Sequence, residues 1–126
     1  MVQIKQVVLD TNFIMACIKR KIDFFNEIKF MGYKVLIPKE VIKELKKIIN
    51  SKQKLHNKET AKIALKIIKL NKFKKIELKK KNVDNAIAEF ANSNKGIIVA
   101  TLDKDLKNKI KGQKMIIRDK KKLEVV

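Results

Sequence analysis

The sequence has no tryptophan, one cysteine (Cys17), one proline (Pro38), one histidine (His56) and three glycines among 126 residues. A single cysteine excludes an internal disulfide and any cysteine-rich zinc site, and leaves Cys17 to serve as a small core hydrophobe. His56, alone in a polar stretch, reads as a surface residue rather than a ligand or base. Scarce glycine and proline leave little material for linkers or disordered tails, and there is no glycine-rich phosphate loop. No apolar run approaches the roughly 18 residues of a membrane span, and the first residues lack the basic-then-apolar order of a signal peptide. Aromatic residues are also few, six Phe and Tyr33, and most Phe positions fit a core face, so no base-stacking platform is expected. The expectation is one soluble, cytoplasmic domain over residues 1–126, without a membrane partner.

Acidic residues are the other shortage. Thirteen stand against 32 basic ones, giving a net charge of +19 and a pI near 10.1. Such a field recruits polyanions, nucleic acid first among them. Nearly all the cations are lysines, with only Arg20 and Arg118 otherwise. A lysine-rich surface also suits an A+T-rich genome or a high growth temperature, so charge identifies a class of partner and not an activity.

What is present is an alternation of apolar runs and amphipathic stretches. Gln6-Val7-Val8-Leu9 is a buried strand running into Asp10. Asn12–Lys19 reads as a short helix, and Ile22, Phe25, Ile28 and Phe30 follow at helical spacing up to a C-cap glycine, Gly32. Lys34–Ile37 is a second strand, stopped by Pro38, which can open the helix carrying Val41, Ile42, Leu45, Ile48 and Ile49. Asn50–Glu59 is the least structured stretch. Thr60–Leu70 returns to helix, with Ile63, Ile67 and Leu70 on one face. Phe73–Leu78 gives a short strand, and Val83–Asn92 a helix capped by Asn82 with Ile87, Phe90 and Ala91 inward. Gly96–Thr101 is the second strong buried strand. A helix from Asp103 to Lys111 follows, then a strand over Met115–Arg118, with Leu123–Val126 adding a little more. The fold class is therefore α/β: a three-layer α/β/α arrangement around a central parallel sheet of four to five strands, with right-handed crossovers.

The acids fall at telling places. Asp10 ends the first buried strand and Asp103 follows the second, where open α/β sheets put their ligand sites. Asp84 lies in the first turn of the helix leading into that second strand, and Glu44 about two turns into the helix after Pro38. Carboxylates gathered at strand ends repel, and at least one is pushed toward its neutral form unless a cation joins them. Mg²⁺ or Mn²⁺ prefers such oxygen ligands, and can activate a water and stabilise charge on a phosphodiester. Each acid also has a plainer reading: Asp10 and Asp103 as helix caps, Asp84 as a helix-dipole partner, Glu44 paired with Lys47, Asp105 as a first-turn acid.

Taken together, Val8-Leu9-Asp10-Thr11-Asn12, Val41-Ile42-Lys43-Glu44-Leu45, Val83-Asp84-Asn85-Ala86-Ile87 with Ala91, and Ala100-Thr101-Leu102-Asp103-Lys104-Asp105-Leu106 resemble a PIN domain over essentially the whole chain. The resemblance implies that Asp10, Glu44, Asp84 and Asp103 bind the metal, with Asp105 a fifth candidate, and that Asn12 and Thr101 orient them. It implies cleavage of single-stranded RNA or an rRNA precursor with Mg²⁺ or Mn²⁺. Lys43, Lys79, Lys80, Lys81, Lys104 and Lys107 would contact RNA; the runs at 79–81 and 120–122 read otherwise as solvated charge. The last motif and Lys114–Arg118 look closer to archaeal and eukaryotic small-subunit rRNA-processing PIN proteins than to VapC toxins. Where that group often has two consecutive aspartates this chain has Asp84-Asn85. The resemblance leaves room for a homodimer and for an antitoxin or ribosome-assembly partner.

Two rivals stand beside an endoribonuclease. A non-cleaving RNA-binding assembly module would usually have lost acids that are all retained here. A phosphoacceptor domain of haloacid-dehalogenase type would need a second aspartate where Asp10 is followed by Thr11-Asn12, and +19 suits it poorly.

Overall fold

The computed structural model describes residues 4–126. In chain order the elements are β1 (Gln6–Leu9), α1 (Thr11–Lys19), α2 (Phe24–Phe30), β2 (Lys34–Pro38), α3 (Lys39–Ile49) and α4 (Leu55–Leu70). They continue with β3 (Lys74–Ile76), α5 (Val83–Ser93), β4 (Ile97–Ala100), α6 (Lys104–Lys109), β5 (Lys114–Arg118) and β6 (Lys122–Val125). The strands form one sheet in the order β3-β2-β1-β4-β5-β6. The first five run parallel, and β6 returns antiparallel to β5 as a hairpin.

The central strands are buried almost throughout, and successive side chains alternate between two apolar layers, as a pleated strand with helices on both faces requires. Val7 and Leu9 of β1, Val35 and Ile37 of β2, and Ile98 and Ala100 of β4 face one apolar layer with Phe13, Cys17, Ile28, Leu45 and Ile68 from α1 to α4. Val8, Leu36, Ile97 and Val99 face the other, with Ile87 and Ala88 of α5 and Leu106 of α6. The three-layer arrangement read from the sequence is thus the observed one. Cys17 is fully buried in the first layer.

Local chemistry sets the boundaries. Asp10 caps α1, Asp23 caps α2, Asn82 caps α5 and Asp103 caps α6, each accepting from a backbone N–H of the first turn. Pro38 ends β2 and starts α3 with φ −62 and no side-chain cap. Beyond α2, Gly32 takes φ +85; its N–H donates to the Lys29 carbonyl at 2.9 Å and that of Tyr33 to Ile28 at 3.2 Å. That pair of bonds is a Schellman turn, which favours glycine at its left-handed position.

Four expectations need correction. Phe30 is 95% exposed: α2 buries Phe24, Phe25 and Ile28, and a residue two after Ile28 points the other way. Helix α4 starts at Leu55, so half of the stretch expected to be least structured is helical and His56 lies on a helix. Its inward face is Thr60, Ala61, Ala64 and Ile68, while Ile63 and Leu70 are exposed and Ile67 half-buried. Small side chains let α4 approach α3 and α1 closely, which turns the larger residues roughly 100° away. Finally, the sheet has six strands, not four to five parallel ones, because Lys122–Val125 pairs antiparallel along β5; in α5, Phe90 and Ala91 pack half-buried against the second apolar layer beside Ile87, as expected.

Candidate active site

β1 lies between β2 and β4, so the chain leaves it in opposite directions on its two sides. A crevice opens beyond the carboxyl ends at such a switch point. Leu9 of β1 pairs with Ala100 of β4, and the Asp10 N–H donates to the Ala100 carbonyl at 3.0 Å. This register sets Asp10 beside Thr101. The Thr101 hydroxyl donates to Asp10 Oδ2 at 2.9 Å and accepts from the Asp103 N–H at 3.1 Å. The other Asp10 oxygen accepts from the Thr11 N–H at 2.9 Å, and Asp103 Oδ1 from the Asp105 N–H at 2.8 Å. Both carboxylates are therefore helix caps and walls of the crevice at once.

The crevice has a volume of about 360 Å³ and is lined by Asp10, Thr11, Asn12, Glu44, Lys81, Asn82, Val83, Asp84 and Asp103. Four acids from four separate segments of the chain meet in it. Asp10 is buried, Asp84, Asp103 and Glu44 half-buried. Burial pushes the Asp10 carboxyl up from 3.8 to about 6; the Thr101 hydroxyl opposes this, and the charges of Asp84 and Glu44 add to it. Asp84 is raised as well, by burial first and then by the Asp103 carboxylate beside it, while the Lys109 ammonium pulls it down. Mutual repulsion of this kind marks a site suited to a bound cation.

The donor set is all oxygen, which suits a hard divalent ion. Thr11 Oγ1, also in the lining, is buried without a hydrogen-bond partner among the described residues. Among those residues no three His, Cys, Asp or Glu side chains stand close enough together to enclose an ion by themselves. Mg²⁺ does not need such a cage, because it keeps several of its waters and takes one or two carboxylates. The residues present fit a hydrated hard cation.

The remaining candidates divide. Asn12 lines the crevice and Thr101 holds two of its members. Asp105 lies in the first turn of α6, exposed and outside the lining. Of the six lysines expected at RNA only Lys81 lines the crevice. Lys80 is ion-paired with Glu89, Lys43, Lys79 and Lys104 are exposed outside the lining, and Lys107 is half-buried on α6, also outside it.

Two contributors escaped the sequence reading. Glu40, one turn before Glu44 on α3, accepts from the Leu78 N–H at 3.2 Å and the Lys79 N–H at 3.2 Å. It thereby ties α3 to the loop that delivers Lys81–Asp84, and these backbone bonds hold its carboxyl below its usual range against the opposing effect of burial. Its i, i+4 spacing to Glu44 was the available signal. Lys109 donates to Asn85 Oδ1 at 2.7 Å, a contact that depends on how α5 and α6 pack and has no local signature.

Residues 7–120 match the family model described as a PIN like domain. Ribonuclease VapC4 of Methanocaldococcus jannaschii is 32% identical over 126 aligned residues, covering 95% of each chain. Among solved structures, the PIN domain endonuclease Utp24 superposes with a TM-score of 0.75 at 27% identity, over 95% of this chain and 90% of that one. VapBC2 from Rickettsia felis, solved bound to a DNA fragment from their promoter, gives a TM-score of 0.58 at 19% identity over 83% of this chain and 95% of that one, a likeness of fold.

Proposed function

The chain belongs to the PIN-like domain family, and from that premise we propose that it is an endoribonuclease that hydrolyses RNA phosphodiester bonds with Mg²⁺ or Mn²⁺. The observation that carries this reading is the meeting of Asp10, Glu44, Asp84 and Asp103 in one crevice of a chain with net charge +19. These four acids would hold the ion, while Asp105, outside the crevice lining, would act only through the start of α6. A divalent ion in such a site supplies an activated water and neutralises charge on the phosphate. The protein's own part is orientation. Thr101 fixes one Asp10 oxygen and, through the Asp103 N–H, the start of α6. Glu40 fixes the loop carrying Lys81, which lines the crevice and would hold a substrate phosphate.

The relatives support two biological settings. The motifs around Asp103 and Arg118, by their resemblance to rRNA-processing PIN proteins, support RNA processing with an rRNA precursor as substrate, and the similar Utp24 is a PIN domain endonuclease. Identity to Ribonuclease VapC4 supports a VapC-type ribonuclease with an antitoxin partner. Cleavage of single-stranded RNA by the purified chain, in Mg²⁺ or Mn²⁺ and in EDTA, tests the chemistry. The expected result is cleavage only with the ion and its loss in Asp10→Asn. Equal cleavage by wild type and Asp10→Asn would defeat the proposal. Growth arrest on expression, relieved by Asp10→Asn, would favour the VapC setting over processing.

A further inference from the structure

A second groove, of about 480 Å³, opens at the opposite edge of the sheet, where β1, β2 and β3 begin. Its lining includes three rings from a chain that has only six Phe, one Tyr and no Trp. Phe25 is buried and paired with Phe24, ring centroids 5.0 Å apart, while Tyr33 and Phe73 are half-buried at the surface of the same apolar layer. The Schellman turn at Gly32 places Tyr33, and the end of α4 places Phe73 three residues beyond Leu70.

Four lysines, Lys29, Lys34, Lys72 and Lys74, also line the groove, and all four are exposed. No carboxylate lines it. Lysines alone would carry nothing in a chain with 32 basic residues; their convergence on aromatic rings does. The side-chain N–H groups of Asn26 and Asn71, both in the lining, donate to Asp23 and to the Ile67 carbonyl, so what each amide has left to offer a ligand is its oxygen, an acceptor for N–H groups. A ligand that satisfies such a lining is flat and apolar in one part, bears N–H donors at its edge, and is anionic on either side. An acidic peptide supplies the charge without the flat face; an unpaired nucleotide supplies both. The volume lies within the range of about 300–1,000 Å³ that suits a single small ligand.

We propose that this groove is a second RNA contact, holding one unpaired nucleotide with its base against Tyr33 and Phe73 and the flanking phosphates on Lys29, Lys34, Lys72 and Lys74. The proposal rests on RNA being the substrate. Strands of four to five residues rise about 3.3 Å per residue, so the groove and the acidic crevice are separated by roughly 15 Å of sheet. An RNA strand that reaches both is held more tightly than a fragment that reaches one.

The test is binding of a labelled single-stranded RNA of about a dozen nucleotides in EDTA, where the chain is not required to cut. Tyr33→Leu with Phe73→Leu, which keeps the apolar volume, is expected to weaken binding about tenfold. Changing the four groove lysines to Gln is expected to weaken it further, and to lower the salt dependence by about two to three units of slope. Changing Lys46, Lys47, Lys62 and Lys66 to Gln instead removes equal charge elsewhere and serves as the reference. If groove and reference variants bind alike, the proposal is overturned, whether or not the chain cleaves RNA. If the groove binds RNA in a chain that never cuts, the nuclease reading falls and this one stands. Should the leucine variants fail to fold, ultraviolet crosslinking of the unaltered protein decides: adducts must appear in the peptides bearing Tyr33 or Phe73, and adducts confined to other peptides refute it. A mononucleotide that binds as tightly as the long RNA would also refute it, by making the groove a site for free nucleotides.

Discussion

At pH 7 the carboxylate of Asp10 is ionised in a buried position beside Asp84 and Glu44, and its pKa stands at about 6 instead of 3.8. Because the folded value lies above the unfolded one, the folded protein holds a proton between those two pH values that the unfolded chain has released. The stabilising contribution of this group is complete below pH 3.8 and is lost as pH rises to about 6. Above that pH, without divalent ions, Asp10→Asn removes the buried charge and is expected to stabilise the fold by about 1–2 kcal/mol, after allowing for one weakened acceptor. Thermal unfolding in EDTA at neutral pH reads this as a higher Tm for the variant, with cleavage lost at the same time; a lower Tm would contradict the electrostatic account. Thr101→Val makes the opposite case. It deletes the hydroxyl that donates to Asp10 and accepts from Asp103, leaving two buried or half-buried groups unpaired. A loss of about 1–3 kcal/mol in urea unfolding is expected, together with a further rise of the Asp10 pKa that carbon-13 NMR of the carboxyl would detect. Asp10 and Asp103 were legible from sequence because each follows an unbroken apolar strand. The orienting role of Thr101 was legible only through the family resemblance, since its bond to Asp10 is created by the pairing of β1 with β4.

Among elements, those with strong local signals emerged where the sequence put them. β1 and β4 are continuous apolar runs, and the caps Asn82 and Asp103 stand where their helices begin. Helix α4 was misjudged because its contact face is built of Thr60, Ala61 and Ala64, and a pattern of large apolar residues cannot reveal a face chosen for closeness. The groove beside Tyr33 and Phe73 escaped for a related reason: residues forty positions apart meet only once β2 and β3 pair. Helix α3 has the same lesson for the active site. It carries Glu44 into the crevice and, one turn earlier, Glu40 to the amides of Leu78 and Lys79, where Lys79 sits at φ +58. Glu40→Gln weakens both charge-assisted bonds. Faster hydrogen exchange at the Leu78 and Lys79 amides is expected, with unchanged exchange in β1 and β4. RNA cleavage should show a KM raised several-fold with a smaller change in kcat, because Lys81 is displaced while Asp10 and Asp103 keep their bonds. Unaltered exchange at those two amides would refute the tie.

At the scale of the whole molecule, little of the positive charge is neutralised from within. Among the described residues the ion pairs are Lys80–Glu89 and Arg118–Glu124, both at the surface, in a chain with 32 basic groups and 13 acidic ones. None of the four acids of the crevice forms an ion pair with a lysine among the described residues. Two consequences follow from the same imbalance. Like-charge repulsion opposes the compact state, so raising monovalent salt from low to physiological strength, where the Debye length shortens to about 8 Å, should raise Tm. RNA binding should move the other way. Each phosphate neutralised on a single strand adds about 0.7 to the slope of log K against log salt. Contacts at both the crevice rim and the amino edge of the sheet then give a slope of about −3 or steeper in EDTA. Addition of Mg²⁺ should raise affinity at fixed ionic strength if the crevice holds its ion against the RNA, since the ion removes the repulsion between four carboxylates and a phosphate. Anisotropy titrations across a salt series, with and without Mg²⁺, measure both quantities. A slope near zero would mean that the lysine surface serves stability or composition and does not grip RNA, and the crevice would then have to recognise its substrate without help from the rest of the molecule.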